Sequence, residues 1–282
     1  MKTICILSYE RTGTTWLCTA LNTPQTWCVF EIFSRNPSLY YWNLLTVLKS
    51  YDCIPVEMTE AFERIFNPQN LFADVLSFSK IKQAMLASNP FSIDLLQSFQ
   101  KAAYNQNRNF CFKIFPEHFD DKIRFNDVVN LSDYLIINYR NNILETFLSW
   151  KLAIKTGAWT SLDKTDKTSQ DHRIFWNESE YLEFYTKTKN NIDFWKTNTQ
   201  DKPTLILQYE EIHSHASNPE KALFVKSKLE ELGFKDFQVS LSNKFSKQRE
   251  YSDFSQVISN FEDFKESHDN ARVPMFYDKT KN

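Results

Sequence analysis

The sequence predicts an α/β chain, with a central, mostly parallel β-sheet flanked by helices. Three observations carry that expectation. Short apolar runs of strand length occur at 3–9, 110–115, 134–138 and 204–208. Between them, segments with helical spacing of apolar residues fill 14–22, 58–66, 92–107, 120–130, 141–156, 178–200 and 218–232; such alternation is the pattern of strand–helix–strand units. The chain has 282 residues, 42% hydrophobic and 24% charged, the composition of a globular protein with a sizeable core. No internal repeat or interdomain linker stands out. Residues 1–282 are therefore expected to form a single domain, with a helical insert at about 34–107 covering the ligand.

The first apolar run, Ile4-Cys5-Ile6-Leu7, ends at Tyr9, Glu10 and Arg11. It is too short for a signal-peptide core, and no run of 18 apolar residues exists to span a membrane. It reads as the first strand of a cytoplasmic protein. The chain contains only 3 glycines, so each marks a place where the backbone needs freedom. Gly157 follows the periodic Ile143, Phe147, Trp150 and Ile154, and Gly233 follows Glu230-Glu231-Leu232; both positions suit a helix C-cap. Gly13 instead lies between the first strand and the helix-like Thr15-Trp16-Leu17-Cys18-Thr19-Ala20-Leu21. A strand-to-helix turn with Gly is where phosphates are cradled. Further on, Tyr181, Phe184, Tyr185, Thr188, Ile192 and Trp195 form a helical stripe expected to face the core. The polar stretch 158–177 reads as a surface loop or lid.

Charge and cysteine content exclude several classes. Lys+Arg number 33 against 35 Asp+Glu, a net charge of -2, so no broadly basic nucleic-acid-binding surface is expected. Any anion site must come from a local cluster. The five cysteines (Cys5, Cys18, Cys28, Cys53 and Cys111) include no C-x-x-C pair, which argues for reduced thiols rather than a disulfide framework or zinc ribbon. His213 and His215 form an isolated His-x-His expected on a loop surface, and no ligand cluster suggests a metal.

The turn itself reads Ser8-Tyr9-Glu10-Arg11-Thr12-Gly13-Thr14-Thr15-Trp16-Leu17. It is not a Walker A loop, because no Lys follows Gly13. It keeps the physical ingredients of an anion cradle: amides of residues 12 to 15 at a helix start, hydroxyls from Thr14 and Thr15, and the Arg11 guanidinium. In this form the turn resembles the 5′-phosphosulfate loop of sulfotransferases that use 3′-phosphoadenosine-5′-phosphosulfate (PAPS). A second segment, Tyr134 to Trp150, resembles that family's 3′-phosphate motif, a strand ending in Arg followed by a helix with Ser nine residues on. Arg140 and Ser149 fit it, with Ser149 roughly 10 Å along the helix. A third segment, Trp27-Cys28-Val29-Phe30-Glu31-Ile32-Phe33, is similar to the Pro-x-Glu-Tyr-Phe segment of bacterial carbohydrate sulfotransferases of the trehalose sulfotransferase type. The Thr156-Gly157-x-Trp159 ending and Lys247-Gln248-Arg249-Glu250-Tyr251-Ser252 also look like that branch. The Pro before its Glu is absent here.

The resemblance implies a P-loop-like sulfotransferase fold. It further implies a PAPS site built from Arg11, Thr12, Gly13, Thr14, Thr15, Trp16, Arg140, Ser149, Lys247, Gln248 and Arg249, and a carbohydrate or other hydroxyl-bearing small molecule as acceptor. Sulfuryl transfer needs a cation at the leaving oxygen and a base at the nucleophile. Arg11 suits the first role. Lys113, near the end of a strand candidate, suits a second cation, because ligands of parallel sheets bind beyond the carboxyl ends of strands. Glu31, the family's proposed base by resemblance, lies between Phe30 and Ile32. His118 is the rival base, since sulfotransferases of phenols and steroids use a His after a comparable strand, but here it follows Lys113 by five residues rather than two. The alternatives are a P-loop nucleotide kinase, against which the missing Lys and the lack of an acidic strand end count, and a nucleotide-binding module whose base has decayed. The acceptor's identity and the oligomeric state stay open at this level.

Overall fold

Five strands, β1 (Thr3–Ser8), β2 (Thr26–Glu31), β3 (Asn109–Ile114), β4 (Tyr134–Tyr139) and β5 (Thr204–Gln208), make one parallel sheet in the order β2-β3-β1-β4-β5. They are seen in a computed structural model that describes residues 1–31, 93–119, 123–157, 173–235, 237–241, 253–270 and 272–277. Flanking helices are α1 (Thr14–Leu21), α2 (Ile93–Asn105), α3 (Phe125–Leu131), α4 (Ile143–Thr156), α5 (Glu178–Asn198), α6 (Tyr209–His213), α7 (Asn218–Glu231) and α8 (Phe261–Asp269). The expected α/β class is therefore present. The expected helix at 58–66, most of the insert at 34–107, Cys53, Trp159 and Lys247-Gln248-Arg249 lie outside the described residues. No described helix is long and apolar enough to cross a membrane.

Three expectations need correction. β2 was not among the strand candidates, because its apolar run, 27–30, is only four residues long and is bounded by Thr26 and Glu31. The helix expected over 120–130 starts only at Phe125, since its capping residue Arg124 is extended, at φ -84 and ψ 145. Helices α6 and α8 carry too few buried residues to announce themselves: Tyr209 and Ile212 in one, Phe264 and Ser267 in the other.

The chain divides into two compact units, Met1–Ile6 with Leu21–Leu135, and Leu7–Ala20 with Ile136–Asn282. The boundaries fall within β1, α1 and β4 rather than in a linker. In the first unit, β2 runs parallel to β3, from Thr26 opposite Asn109 to Val29 opposite Phe112. Phe110 and Phe112 stack with centroids 5.5 Å apart, and Trp27 meets the Phe99 edge at 6.2 Å. The start of β1 is fastened there too: the Thr3 amide donates to Asp133 Oδ2 at 2.8 Å, and its hydroxyl lies 2.8 Å from Tyr104 Oη.

The second unit is organised by α4 and α5. Asn142 caps α4 by accepting from the Glu145 amide, and Gly157 ends it at φ 70 with its amide on the Ala153 carbonyl; this is the left-handed stop expected for that glycine. Asn177 caps α5 in the same way through the Glu180 amide. Phe147 of α4 packs at 5.3 Å from Tyr181 and 5.4 Å from Phe184 of α5. Trp176, Phe264 and Val273 extend the same cluster. Of the stripe read from the sequence, Tyr181, Thr188, Ile192 and Trp195 are buried.

Candidate functional site

The turn leaving β1 is built on two left-handed residues, Arg11 at φ 64 and Gly13 at φ 74. A Cβ at Gly13 would also meet the Tyr209 ring at 3.0 Å and His213 Nε2 at 3.4 Å. Both backbone angle and space thus demand glycine there. The residue between them is held from beneath. Thr12 Oγ1 donates to the Tyr9 carbonyl at 2.7 Å and lies 2.7 Å from Ser8 Oγ. Asn138 of β4, fully buried, donates through Nδ2 to the Thr12 carbonyl at 2.8 Å. That carbonyl accepts only, which fixes the carboxamide orientation. Asn138 Oδ1 has no hydrogen-bond partner among the described residues.

Arg11 departs from the ordinary backbone so that its side chain reaches α4, where Nε donates to Ser149 Oγ at 2.9 Å. The two phosphate motifs read separately from the sequence are therefore joined by a hydrogen bond. Ser149, read with Arg140 as part of a 3′-phosphate site, is hydrogen-bonded to Arg11. Thr12, Thr14 and Trp16 are buried. Trp16 turns its indole N–H to Asn218 Oδ1 at 3.1 Å, so its side chain anchors α1.

Arg140 is the first residue after β4 and only 7% exposed. Its guanidinium forms an ion pair with Glu145, lies 4.6 Å from the centre of the Tyr209 ring, and stands with Nε 4.0 Å from Glu210 Oε1. The Glu210 carboxylate also accepts from the Asn141 amide at 3.0 Å and the Asn142 amide at 3.1 Å. The next two amides, of Ile143 and Leu144, donate to the Met275 carbonyl at 2.9 and 3.3 Å. The start of α4 is thus a row of aligned amides beside a buried cation, a pattern suited to an anion, with a carboxylate in it. His213, expected on a loop surface, instead stacks on Tyr209 with centroids 4.1 Å apart.

In the first unit, the register of β2 on β3 skips one residue after Val29, so that Glu31 faces Lys113 as backbone partner. Two residues singled out separately thus meet as neighbours in the sheet. Lys113 is no solvated strand end: it is 1% exposed, with Nζ 5.1 Å from the Phe115 ring centre. His118 closes a 3-10 turn, Pro116–His118. Its Nδ1 accepts from the Phe115 amide at 3.1 Å and its ring stacks on Phe115. With that lone pair engaged, the neutral ring carries its proton on Nε2 and acts there as a donor.

A scan against protein-family models, a search of curated proteins and a search of solved structures each find no match to this chain. Sequence reasoning missed Glu210 and Asn138. Glu210 follows the apolar run 204–208 by two residues, so the strand-end rule applied to Lys113 would have found it. Asn138 was hidden as a polar residue within an apolar strand, where its partner is the backbone of a distant turn.

Proposed function

We propose that the chain is a PAPS-dependent sulfotransferase acting on a hydroxyl of a carbohydrate or other small molecule, with a P-loop-like sulfotransferase fold. The observation that carries the reading is the Arg11–Ser149 hydrogen bond at 2.9 Å, which ties the phosphosulfate-type turn to the phosphate-type helix. The left-handed Arg11 and Gly13 support it, because that backbone turns successive amides toward a common concavity for anions. The Glu31–Lys113 register supports the catalytic assignment.

In the reaction, the acceptor oxygen attacks sulfur as the bond from sulfur to the bridging 5′-phosphate oxygen breaks. The electron pair leaves on that phosphate, where Arg11 offsets the developing charge. The acceptor's proton passes to the Glu31 carboxylate. The products are a sulfate ester and adenosine 3′,5′-bisphosphate. His118, with Nδ1 occupied, suits a donor role better than that of the base.

Calorimetry tests the cofactor. Adenosine 3′,5′-bisphosphate is expected to bind at least about tenfold more tightly than ATP, one charged hydrogen-bonding contact's worth. Equal or tighter binding of ATP, dependent on magnesium, would favour a nucleotide kinase and overturn the reading.

A further inference from the structure

We propose that Glu210 is an exchangeable occupant of the 3′-phosphate position, a carboxylate that must leave when the phosphate arrives and thereby sets cofactor affinity. This deepens the sulfotransferase reading and rests on it for the identity of the phosphate. The Glu210 carboxylate takes two successive backbone amides, Asn141 at 3.0 Å and Asn142 at 3.1 Å, and stands 4.0 Å from Arg140 Nε. A phosphate bound at Arg140 and the start of α4 would claim the same donors. Charge makes simultaneous occupancy unfavourable. Arg140 already faces two carboxylates, Glu145 and Glu210, so a phosphate added to the intact cluster would meet net negative charge at short range.

Of the two carboxylates, Glu210 is the one built to leave. Its side chain is 41% exposed, against 19% for Glu145, so it returns to water with little change in solvation. Glu145 is also fastened to Asn142, whose Nδ2 donates to Glu145 Oε1 at 3.2 Å while Asn142 Oδ1 accepts from the Glu145 amide at 2.9 Å. Glu210 projects from α6, a helix of 5 residues. Its carboxylate satisfies the Asn141 and Asn142 amides, while Glu145 already pairs with the guanidinium. Its departure is the cost that the incoming phosphate meets.

The test is calorimetry on the wild-type chain, Glu210→Gln and Glu210→Ala. The titrants are adenosine 3′,5′-bisphosphate and adenosine 5′-monophosphate, which lacks the 3′-phosphate. Glu210→Gln removes the charge and keeps one acceptor oxygen in place of the two that take the Asn141 and Asn142 amides. It is expected to bind the bisphosphate about tenfold more tightly, the value of one charged contact, with the monophosphate unchanged and Glu210→Ala at least as tight as Gln. Unchanged or weaker bisphosphate binding by folded Glu210→Gln would overturn the exchange and make Glu210 a brace for Arg140. If neither substituted chain folds, the wild type decides: bisphosphate binding that leaves the amide resonances of Asn141 and Asn142 unmoved would overturn it. If no form binds the bisphosphate, the cofactor reading fails separately. Inorganic phosphate then tests the exchange alone, by whether those two resonances respond at about tenfold lower phosphate in Glu210→Gln than in wild type; an equal response, or none, would overturn it.

Discussion

At Gly13, the left-handed backbone and the Tyr209 ring 3.0 Å from the position of a Cβ both require the absence of a side chain. Arg11 tolerates a similar angle, φ 64, without being glycine; such a conformation costs on the order of 1–2 kcal/mol and is partly offset by the hydrogen bond to Ser149. Residues held in sparsely populated backbone conformations tend to cluster at functional turns. Glu31 yields the prediction that belongs at this scale. Replacing it by Gln keeps its shape and removes its basicity, so turnover with PAPS and a reactive acceptor is expected to fall by about 10²–10⁴-fold, with bisphosphate affinity nearly unchanged. His118→Ala is the control, since its Nδ1 is already occupied by the Phe115 amide at 3.1 Å. Steady-state kinetics on folded protein checks both. Near-normal turnover in Glu31→Gln together with its loss in His118→Ala would reverse the assignment.

The elements differ in how plainly the sequence announces them. β1, β3 and β4 are buried apolar runs, and buried parallel strands read as continuous hydrophobic stretches; β5 reads as an apolar run although its Ile206 is exposed, and all four were legible to within about one residue, well inside the usual boundary scatter. α4 and α5 were legible from periodicity and from Gly157. β2 was not, because its pairing with β3 is tertiary and its one charged residue closes it. Within the site, Arg11, Gly13, Arg140 and Ser149 were legible as types and spacings. Their partners were not, because spacing along the chain does not say that Arg11 takes Ser149 or that Glu210 takes the amides after Arg140. The α4–α5 pair makes its own stability prediction. Phe147 is fully buried and touches the rings of Tyr181, Phe184, Trp176 and Trp150. Phe147→Ala is expected to destabilise the protein by about 3–5 kcal/mol, seen as a lower urea midpoint. A loss under about 1 kcal/mol, the level of a surface change, would mean that this cluster is not the centre of its unit.

For the whole molecule, the net charge of -2 offers no long-range attraction for a polyanion, so the proposed recognition of an anionic cofactor would be local, and it is expected to register as global stabilisation. At a bisphosphate concentration of 100 times its dissociation constant, the folded state gains about 2.7 kcal/mol, a rise in melting temperature of roughly 5 °C for a chain of this size. Differential scanning calorimetry would show it; an equal rise with ATP at the same concentration would count against the cofactor assignment. The segment 272–277 has a consequence for the order in which the protein assembles. The Met275 carbonyl receives the Ile143 and Leu144 amides, and the Tyr277 amide donates to the Asn141 carbonyl. These bonds close a loop of more than 130 residues, whereas α4 meets α5 across a much shorter span. Loop closure that long is entropically deferred, so the helical pair can condense early while the Arg140 corner is completed among the last contacts. That corner is therefore expected to form late, so that substitutions there hasten unfolding and leave the folding rate almost untouched, as stopped-flow measurements would show.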